Sequence, residues 1–308
     1  MAKTLVFGHQ NPDTDTIASA IAASYFLNTA YNMDTEAVAL GTPNGETQFA
    51  LDHFKVAAPR VIESADAEEV VLVDHNEATQ SVANIADVDI FGIFDHHKIN
   101  FSSSAPLYVT NKPWGSVATV LYYEFQNANV EIPAEIAGML ASAIISDTLL
   151  LKSPTTTPMD KPALEALAEI AGLADYEAYG LALLKAGTDL SSRTAKELID
   201  GDAKSFDLNG ATVRIGQVNT VDVEDVFSRR DEVVAAMEAE LAEEGYNTFV
   251  FVVTNILDSD SDILVLGDNL DKVEAAFDVK LSDGRASLPG VVSRKKQVVP
   301  PLTDAFNA

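Results

Sequence analysis

The first part of the chain alternates short apolar runs with longer segments of helical periodicity. The runs LVFGH, AVALG, VVLVDH and IFGIFDHH predict strands, and five other segments predict helices: TIASAIAASYFLN, GSVATVLYYEFQ, PAEIAGMLASAIISDTL, DKPALEALAEIAG and YEAYGLALLKAG. Such alternation is typical of a mostly parallel sheet with crossover helices. We therefore predict an α/β N-terminal domain over residues 1–186, with Thr14 or Asp15 capping its first helix.

The pattern changes in the second part of the chain. It loosens over residues 187–196, GTDLSSRTAK, which we predict to be a linker. Beyond it, ATVRIGQVNTV, NTFVFVVTNIL and SDILVLGD predict strands, and VFSRRDEVVAAMEAELAEEG predicts a helix between the first two. Residues 197–308 are therefore expected to form a second, smaller domain of mixed α/β type.

The composition limits the kinds of protein that this chain can be. A length of 308 residues with 47% hydrophobic residues is enough for a sizeable core in two domains. Neither a membrane span nor the basic start of a signal peptide is visible, so we expect a cytoplasmic protein. The absence of cysteine excludes disulfides and thiolate ligands, so any metal must be held by His, Asp and Glu, which suit Mn²⁺ or Mg²⁺.

The charge is strongly unbalanced. With 20 basic and 47 acidic residues the net charge is −27, which argues against a general nucleic-acid binder. Solubility, or adaptation to salt or cold, is a sufficient explanation for most of the acidic positions. The clustered ones need a different explanation.

Three predicted strands end in acidic and histidine residues. GHQNPDTD, residues 8–15, follows the first, Asp74-His75-Asn76 ends the third, and Asp95-His96-His97 ends the fourth. Ligands of parallel α/β sheets bind beyond the carboxyl ends of the strands, so these clusters should converge. A single Asp there is usually a turn or a helix cap, and a lone His is usually structural, but three such ends together favour a metal site.

The spacing of these residues suits two metal ions. Asp13 and Asp15 stand two positions apart, and His9 comes from the preceding strand. Two divalent ions about 3.5–4 Å apart can share a carboxylate and polarise one water, and Asp74 is a plausible bridge. Asp147 ends an apolar helical stretch, where a negative charge is unfavourable unless it faces solvent or a metal.

These residues resemble a known family. His9, Asp13, Asp15, Asp74, the triplet ending in His97, Ser146-Asp147 with the following SPTTT, and the run SRKKQ at residues 293–297 are together similar to the family II inorganic pyrophosphatases. These are the manganese-dependent members of the DHH phosphoesterase superfamily. The resemblance covers almost the whole chain. The first-domain motifs indicate only the superfamily, whereas SRKKQ indicates the pyrophosphatase branch, with a DHHA2-type second domain.

The resemblance implies a role for each matched residue. His9 and Asp13 would hold one metal, Asp74 would bridge, and the second metal would be held by three residues: Asp15, His96 and Asp147. Asp95 would orient an imidazole ring. His75 is expected to have a structural or supporting role.

Substrate contacts are also implied. Arg294 and Lys295, in the densest basic run of the chain, would grip phosphate, and an arginine can do so through two parallel hydrogen bonds. Without the other motifs, this run would be taken for a solvated basic loop. Lys204 matches a further substrate-binding lysine, and His97 would contact the transferring phosphate. Lys296 is left without a role.

The implied activity is hydrolysis of pyrophosphate to two orthophosphates by a hydroxide held between two metal ions, in a site closed by the basic C-terminal domain. The cofactors would be Mn²⁺ in two sites, with Co²⁺ as a substitute, and Mg²⁺ entering with the substrate. The family also implies a homodimer formed through the N-terminal domain.

Two alternatives stay open. Another DHH phosphoesterase would act on short oligonucleotides, cyclic dinucleotides or short polyphosphates. The chain has no GGGH-type element, and its single Trp offers little for stacking bases. The other alternative is a non-catalytic phosphate-sensing protein, against which the complete set of candidate ligands argues.

Overall fold

The chain forms two compact units, Met1–Gly187 and Thr188–Ala308. A computed structural model describes residues 3–67, 69–188 and 190–308. The linker predicted at 187–196 includes Asp189, which lies outside the described residues. Its ends overlap helices that stop at Gly187 and start at Ala195.

Across the described residues, no helix is both long enough and apolar enough to cross a bilayer.

The first unit alternates strands and helices before ending in four helices. In chain order its elements are β1 (Thr4–Phe7), α1 (Thr14–Tyr31), β2 (Thr35–Ala39), α2 (Gly45–Phe54), β3 (Arg60–Val61), β4 (Glu69–Val73), β5 (Asp89–Asp95), β6 (Tyr108–Asn111), α3 (Val117–Ala128), α4 (Ala134–Thr148), α5 (Asp160–Ala171) and α6 (Tyr176–Gly187). The described strands form a six-stranded sheet in the order β3-β2-β1-β4-β5-β6, and every neighbouring pair is parallel. The prediction of a parallel α/β sheet is confirmed.

The core of this unit follows from the apolar strands. Side chains of β1, β4 and β5 alternate between the two faces, so Leu5, Phe7 and Leu72 join a buried cluster on one face. On the opposite face α1 packs against the sheet and against α3 and α4. Helix α4 is buried from Ile136 to Ile145, which explains why its sequence is apolar on all sides.

The second unit is built on a mixed sheet. Its elements are α7 (Ala195–Asp200), β7 (Ala203–Leu208), β8 (Ala211–Thr220), α8 (Glu224–Phe227), α9 (Arg230–Glu244), β9 (Thr248–Asn255), β10 (Asp260–Gly267), α10 (Leu270–Phe277), β11 (Arg285–Leu288), a π-helical turn (Arg294–Val298) and α11 (Val299–Asn307). The sheet order is β11-β10-β9-β8-β7, and only the β8–β9 pair of these described strands is parallel. The prediction of a mixed α/β second domain is confirmed.

Strand β9 is the centre of this sheet. Val250 and Val252 belong to one buried cluster, and Phe249, Phe251 and Val253 belong to the cluster on the other face. A strand covered on both faces is apolar at nearly every position, as NTFVFVVTNIL is.

Four strands were missed by the sequence analysis. β3 and β6 lie at the two edges of the first sheet, and β7 and β11 lie at the edges of the second. Edge strands are half exposed and short, so they lack the continuous apolar run that identified the central strands.

Candidate metal centre

The three acidic strand ends of the first unit lie side by side. β4 is paired in parallel with β1 on one side and with β5 on the other, so the residues that follow all three strands lie at the same carboxyl-terminal end of the sheet. Three groups of side chains there have ligand atoms within 4.8 Å of one another. They are His9, Asp13 and Asp74; Asp15, His96 and Asp147; and Asp74, His96 and His97.

Asp74 lies between the first two groups. Its Oδ2 is 3.4 Å from His9 Nε2, and its Oδ1 is 3.4 Å from His96 Nε2. His9 Nε2 is also 3.4 Å from Asp13 Oδ2. One carboxylate therefore faces a histidine of each ligand set, which is the arrangement needed to bridge two ions.

The backbone at Asp74 is held in a sparsely populated conformation. Its φ is 57°, in the left-handed region that residues other than glycine seldom occupy. Its N–H donates to the carbonyl of Phe94 at 2.9 Å, which joins the ends of β4 and β5, and the Thr16 hydroxyl donates to Oδ2 at 2.7 Å. These contacts fix a strained conformation at the centre of the site.

Asp74 Oδ1 provides a test of whether a metal fits. The side chain is 2% exposed, and this oxygen accepts no hydrogen bond from any described residue. A buried carboxylate oxygen without a donor is unfavourable, and the neighbouring ligand atoms are all oxygen or imidazole nitrogen. The donor set thus fits hard or borderline divalent ions.

The electrostatics of the cluster point the same way. Burial, followed by the charge of Asp74, raises the pKa of Asp15 to about 6. Burial and the charges of Asp15 and Asp74 raise the pKa of Asp147 well above its ordinary value. Neighbouring buried carboxylates resist ionisation together unless a cation lies between them.

The histidines respond in the opposite direction. Burial lowers the pKa of His9, but its contacts with Asp13 and Asp74 outweigh burial and raise the pKa to about 11. Burial is likewise outweighed at His96, whose contact with Asp74 raises the pKa to about 9. In the same way burial would raise the pKa of Asp74, but its contacts with the two histidines lower it. In the metal-free site, protonated imidazoles therefore offset the negative charge of the carboxylates, as a bound metal ion would.

Each imidazole ring has a partner at Nδ1. His9 Nδ1 lies 2.8 Å from the Gln10 carbonyl, and His96 Nδ1 lies 2.9 Å from the Trp114 carbonyl. These bonds fix the tautomer that leaves Nε2 as a metal ligand. His97 Nδ1 lies 2.9 Å from Asp95 Oδ1.

Asp95 and His75, for which the sequence predicts supporting roles, are buried. Asp95 is 0% exposed and also accepts from the Asn76 side chain, so it positions the His97 ring. His75 is 2% exposed, packs near Phe7 and donates toward the Val73 carbonyl, and it belongs to none of the ligand groups.

The N-terminus of α1 corrects one prediction. The cap is Asp13, whose Oδ1 accepts from the Thr16 N–H at 2.9 Å, whereas Thr14 and Asp15 already lie in the first turn. Asp13 is the last residue with extended backbone before the helix, so its side chain can accept a hydrogen bond from the first turn. Asp13 therefore caps the helix through one oxygen and faces His9 through the other.

Asp15 is completely buried and held by its surroundings. Its carboxylate accepts from Val117 N at 2.7 Å, from Ala118 N at 3.0 Å and from the Ser19 hydroxyl at 2.9 Å. The first N–H groups of α3 have no partner within the helix, so they are available to this anion. The Val117 and Ala118 N–H groups and the Trp114 carbonyl could not be predicted from the sequence, because backbone groups leave no residue pattern.

A cavity of about 530 Å³ opens onto the ligand groups. Besides the ligands, its lining includes Lys98, Trp114 and Thr155. The first unit thus offers an open cavity at a candidate dinuclear metal centre, the class of site found in metal-dependent hydrolases.

The predicted substrate residues of the second unit lie near its π-helical turn. Lys204, on β7, and Lys295 are exposed. Arg294 is 9% exposed, and its guanidinium donates to the backbone carbonyl of Asp202 and, at 2.7 Å, to the Asp202 carboxylate. That ion pair joins the turn to the residues that precede Lys204.

Comparison with known proteins identifies both units. Residues 3–144 match the model of the DHH family N-terminal domain, and residues 181–305 match that of the DHHA2 domain. Two curated relatives from Streptococcus agalactiae, serotypes III and Ia, are each called a probable manganese-dependent inorganic pyrophosphatase. Each is 54% identical to this chain over 312 residues, which is 100% of both sequences.

Two solved structures are also similar to this chain. A putative family II inorganic pyrophosphatase from Methanococcus jannaschii is 43% identical, with a TM-score of 0.62 over 98% of this chain and 99% of the other. An exopolyphosphatase-related protein from Bacteroides fragilis, 13% identical with a TM-score of 0.50 over 99% of this chain and 92% of the other, shares the fold. The chain belongs to the manganese-dependent, family II inorganic pyrophosphatases of the DHH superfamily.

The raised pKa of Asp147 leads to a prediction for Asp147→Asn. A carboxyl group whose pKa is raised on folding contributes less stability as the pH rises from its ordinary pKa to its pKa in the folded protein. For Asp15 this range runs from 3.8 to about 6, and for Asp147 it starts at 3.8 and extends well above that value. The metal-free protein should therefore lose stability as the pH rises above 3.8. The variant should show a smaller loss over this range, and its metal-free Tm at pH 7.5 should equal or exceed that of the unsubstituted protein. Its Tm increase on adding Mn²⁺ should be smaller, because one ligand is missing. Thermal unfolding with and without chelator measures both effects, and a lower metal-free Tm would contradict the account.

Proposed function

We propose that this chain hydrolyses inorganic pyrophosphate to two orthophosphates. The observation that carries the proposal is the pair of ligand sets joined by Asp74. Family membership supports it, since relatives that match the whole chain are called inorganic pyrophosphatases. In this proposal His9 and Asp13 hold one ion, Asp74 bridges, and the second ion is held by three residues: Asp15, His96 and Asp147.

The metals proposed are Mn²⁺ in both sites, with Co²⁺ as a functional substitute. The nitrogen and oxygen ligands suit these ions, and the name of the curated relatives points to manganese. Mg²⁺ is proposed to enter with the substrate and to offset part of its charge. When bound, ions held by these residues would supply Lewis-acid charge, which would make a water nucleophilic near neutral pH and would offset charge on the phosphate oxygens.

The protein supplies position and charge. Asp74 is fixed by its backbone bond with Phe94 and by the Thr16 hydroxyl, so the bridging carboxylate needs no rearrangement. The hydrogen bond with Asp95 raises the pKa of His97, which favours the protonated form of that ring. A protonated His97 can donate through Nε2 to a phosphate oxygen while Asp95 holds Nδ1.

Cations from the second unit are proposed to close the site over the substrate. Lys204 and Lys295 are exposed, so their ammonium groups are open to an anion. Arg294 makes two bonds with Asp202, and a guanidinium has five N–H donors, so donors remain for phosphate. In a chain of net charge −27, these local cations offset the repulsion of a substrate that carries up to four negative charges.

The activity assay tests the proposal directly. Metal-free protein reloaded with Mn²⁺ in Mg²⁺ buffer should release phosphate from pyrophosphate, with a short oligonucleotide as the comparison substrate. Asp74→Asn should lower the rate by at least about 100-fold, because it removes the shared charge between the ions. The exposed Asp34→Asn is the matched control and should be unaffected. Hydrolysis of the oligonucleotide alone would instead assign the chain to another DHH phosphoesterase.

The lysines give a second prediction. Lys204→Ala and Lys295→Ala should each lower kcat/KM for pyrophosphate by about 10-fold or more, as expected for the loss of a charge-assisted hydrogen bond. The neighbouring exposed Lys296→Ala is the control for a general effect of charge, with less than about 3-fold change expected. Equal effects at Lys295 and Lys296 would mean that the turn acts only through its net charge.

A homodimer formed through the first unit is also proposed. Strand β6 is an edge of the parallel sheet, and its Val109 is 49% exposed, so it can pair with another chain. Light scattering should give a mass of twice the 32.9 kDa of one chain. Val109→Lys should shift this toward the monomer, whereas Leu181→Lys, at a residue 45% exposed on α6, should not. A monomer at all concentrations would refute the proposal.

The cytoplasmic location also stays a prediction.

A further inference from the structure

Asp160, the first residue of α5, is a carboxylate for which neither the sequence nor the proposed reaction provides a role. Its side chain is 0% exposed. Two segments donate to it: the Gly115 N–H at 3.1 Å with the Thr119 hydroxyl at 2.7 Å, and Thr157 through its N–H at 2.6 Å and its hydroxyl at 2.7 Å. The carboxylate therefore links the loop before α3 to the SPTTT segment.

The first of these segments supports two metal ligands. Trp114, next to Gly115, lends its carbonyl to His96 Nδ1 at 2.9 Å. Two residues beyond Gly115, the Val117 N–H donates to the Asp15 carboxylate at 2.7 Å, and the next N–H does so at 3.0 Å. A displacement of this loop would move the supports of both ligands together.

The second segment reaches the third ligand. The Thr155 hydroxyl donates to the Asp147 carbonyl at 3.4 Å, and the Thr156 hydroxyl donates to the Thr148 carbonyl at 3.5 Å. The intervening residues 149–151 all have positive φ, between 47° and 65°. Left-handed backbone is unfavourable for leucine, so this stretch needs contacts of this kind to persist.

We infer that Asp160 is a positioning residue for the Asp15, His96 and Asp147 ligand set, and that it controls the affinity of that set for its ion selectively. Within the described residues, its hydrogen bonds lead to the supports of these three ligands and not to those of His9 or Asp13. The inference rests on the proposed two-metal site.

A carboxylate is needed because every partner is a donor. Asparagine has the same shape but presents N–H groups, so one end of its amide must face a donor at hydrogen-bond distance. The site is also tight, since a Cβ added at Gly115 would lie 2.6 Å from Asp160 Oδ2. The backbone at Gly115 therefore lies directly against the carboxylate.

The test is a Mn²⁺ titration of metal-free protein, without substrate. Asp160→Asn should lower the affinity for one of the two ions by about 10-fold or more, the effect typical of removing a residue that supports a metal ligand. The affinity for the other ion should stay within about 2-fold. Asp147→Asn and His9→Gln identify which ion is which, and the ion affected by Asp160→Asn should be the one affected by Asp147→Asn.

Three further variants keep the test decisive. If Asp160→Asn does not fold, Thr119→Val removes one donor with little change of shape and should weaken the same ion, while Thr119→Ser, which keeps the hydroxyl, should restore it. Ser142→Ala removes a buried hydroxyl bonded to Tyr179 at 2.7 Å and is the control for a general loss of packing.

The outcomes separate the inference from the proposed function. Equal weakening of both ions, no weakening, or the same effect in Ser142→Ala would overturn the role of Asp160. Protein that binds two ions, responds to Asp160→Asn as expected and fails to hydrolyse pyrophosphate would refute the proposed function alone.

Discussion

The structure of the first unit depends on one electrostatic constraint: Asp13, Asp15, Asp74 and Asp147 lie together at the carboxyl-terminal end of a parallel sheet, and two of them, Asp15 and Asp74, are buried. Burial and mutual repulsion raise the pKa of Asp15 and Asp147, and the histidines take up protons in response. Such a cluster opposes folding unless cations occupy it. Under the proposed function, divalent ions that bind there explain its retention in a compact fold.

The surrounding fold orients these carboxylates without neutralising them. Asp74 keeps one oxygen without a hydrogen bond, while Asp15 is held by backbone N–H groups at the start of α3. Neutral donors of this kind fix direction and leave the charge for a metal. The buried Asp160 extends the same principle one layer outward, because it holds the segments that hold the ligands.

Much of the fold and of the candidate site could be predicted from the sequence because the chemistry follows central strands. β1, β4 and β5 are apolar runs that end in Asp and His, and the geometry of parallel sheets brings such ends together. The edge strands β3, β6, β7 and β11 were missed because half-exposed strands carry little pattern. The apolar central strands therefore led to the candidate ligands, whereas the edge strands had no comparable pattern.

The supporting contacts could not be predicted for a different reason. The Trp114 carbonyl and the N–H groups of Val117 and Ala118 are backbone atoms, which any residue provides. Asp160 begins a predicted helix, and two partners of its carboxylate lie 41 and 45 residues away in the chain. The ion pair of Arg294 with Asp202, 92 residues apart, was equally invisible to local reasoning.

The central claim is that Asp74 joins two metal ions in one site. Anomalous diffraction at the manganese edge, from crystals of the protein loaded with Mn²⁺, tests it most directly. The account predicts two peaks about 3.5–4 Å apart, one on either side of the Asp74 carboxylate. A single peak, or two peaks of which either lies out of contact with Asp74, would contradict it.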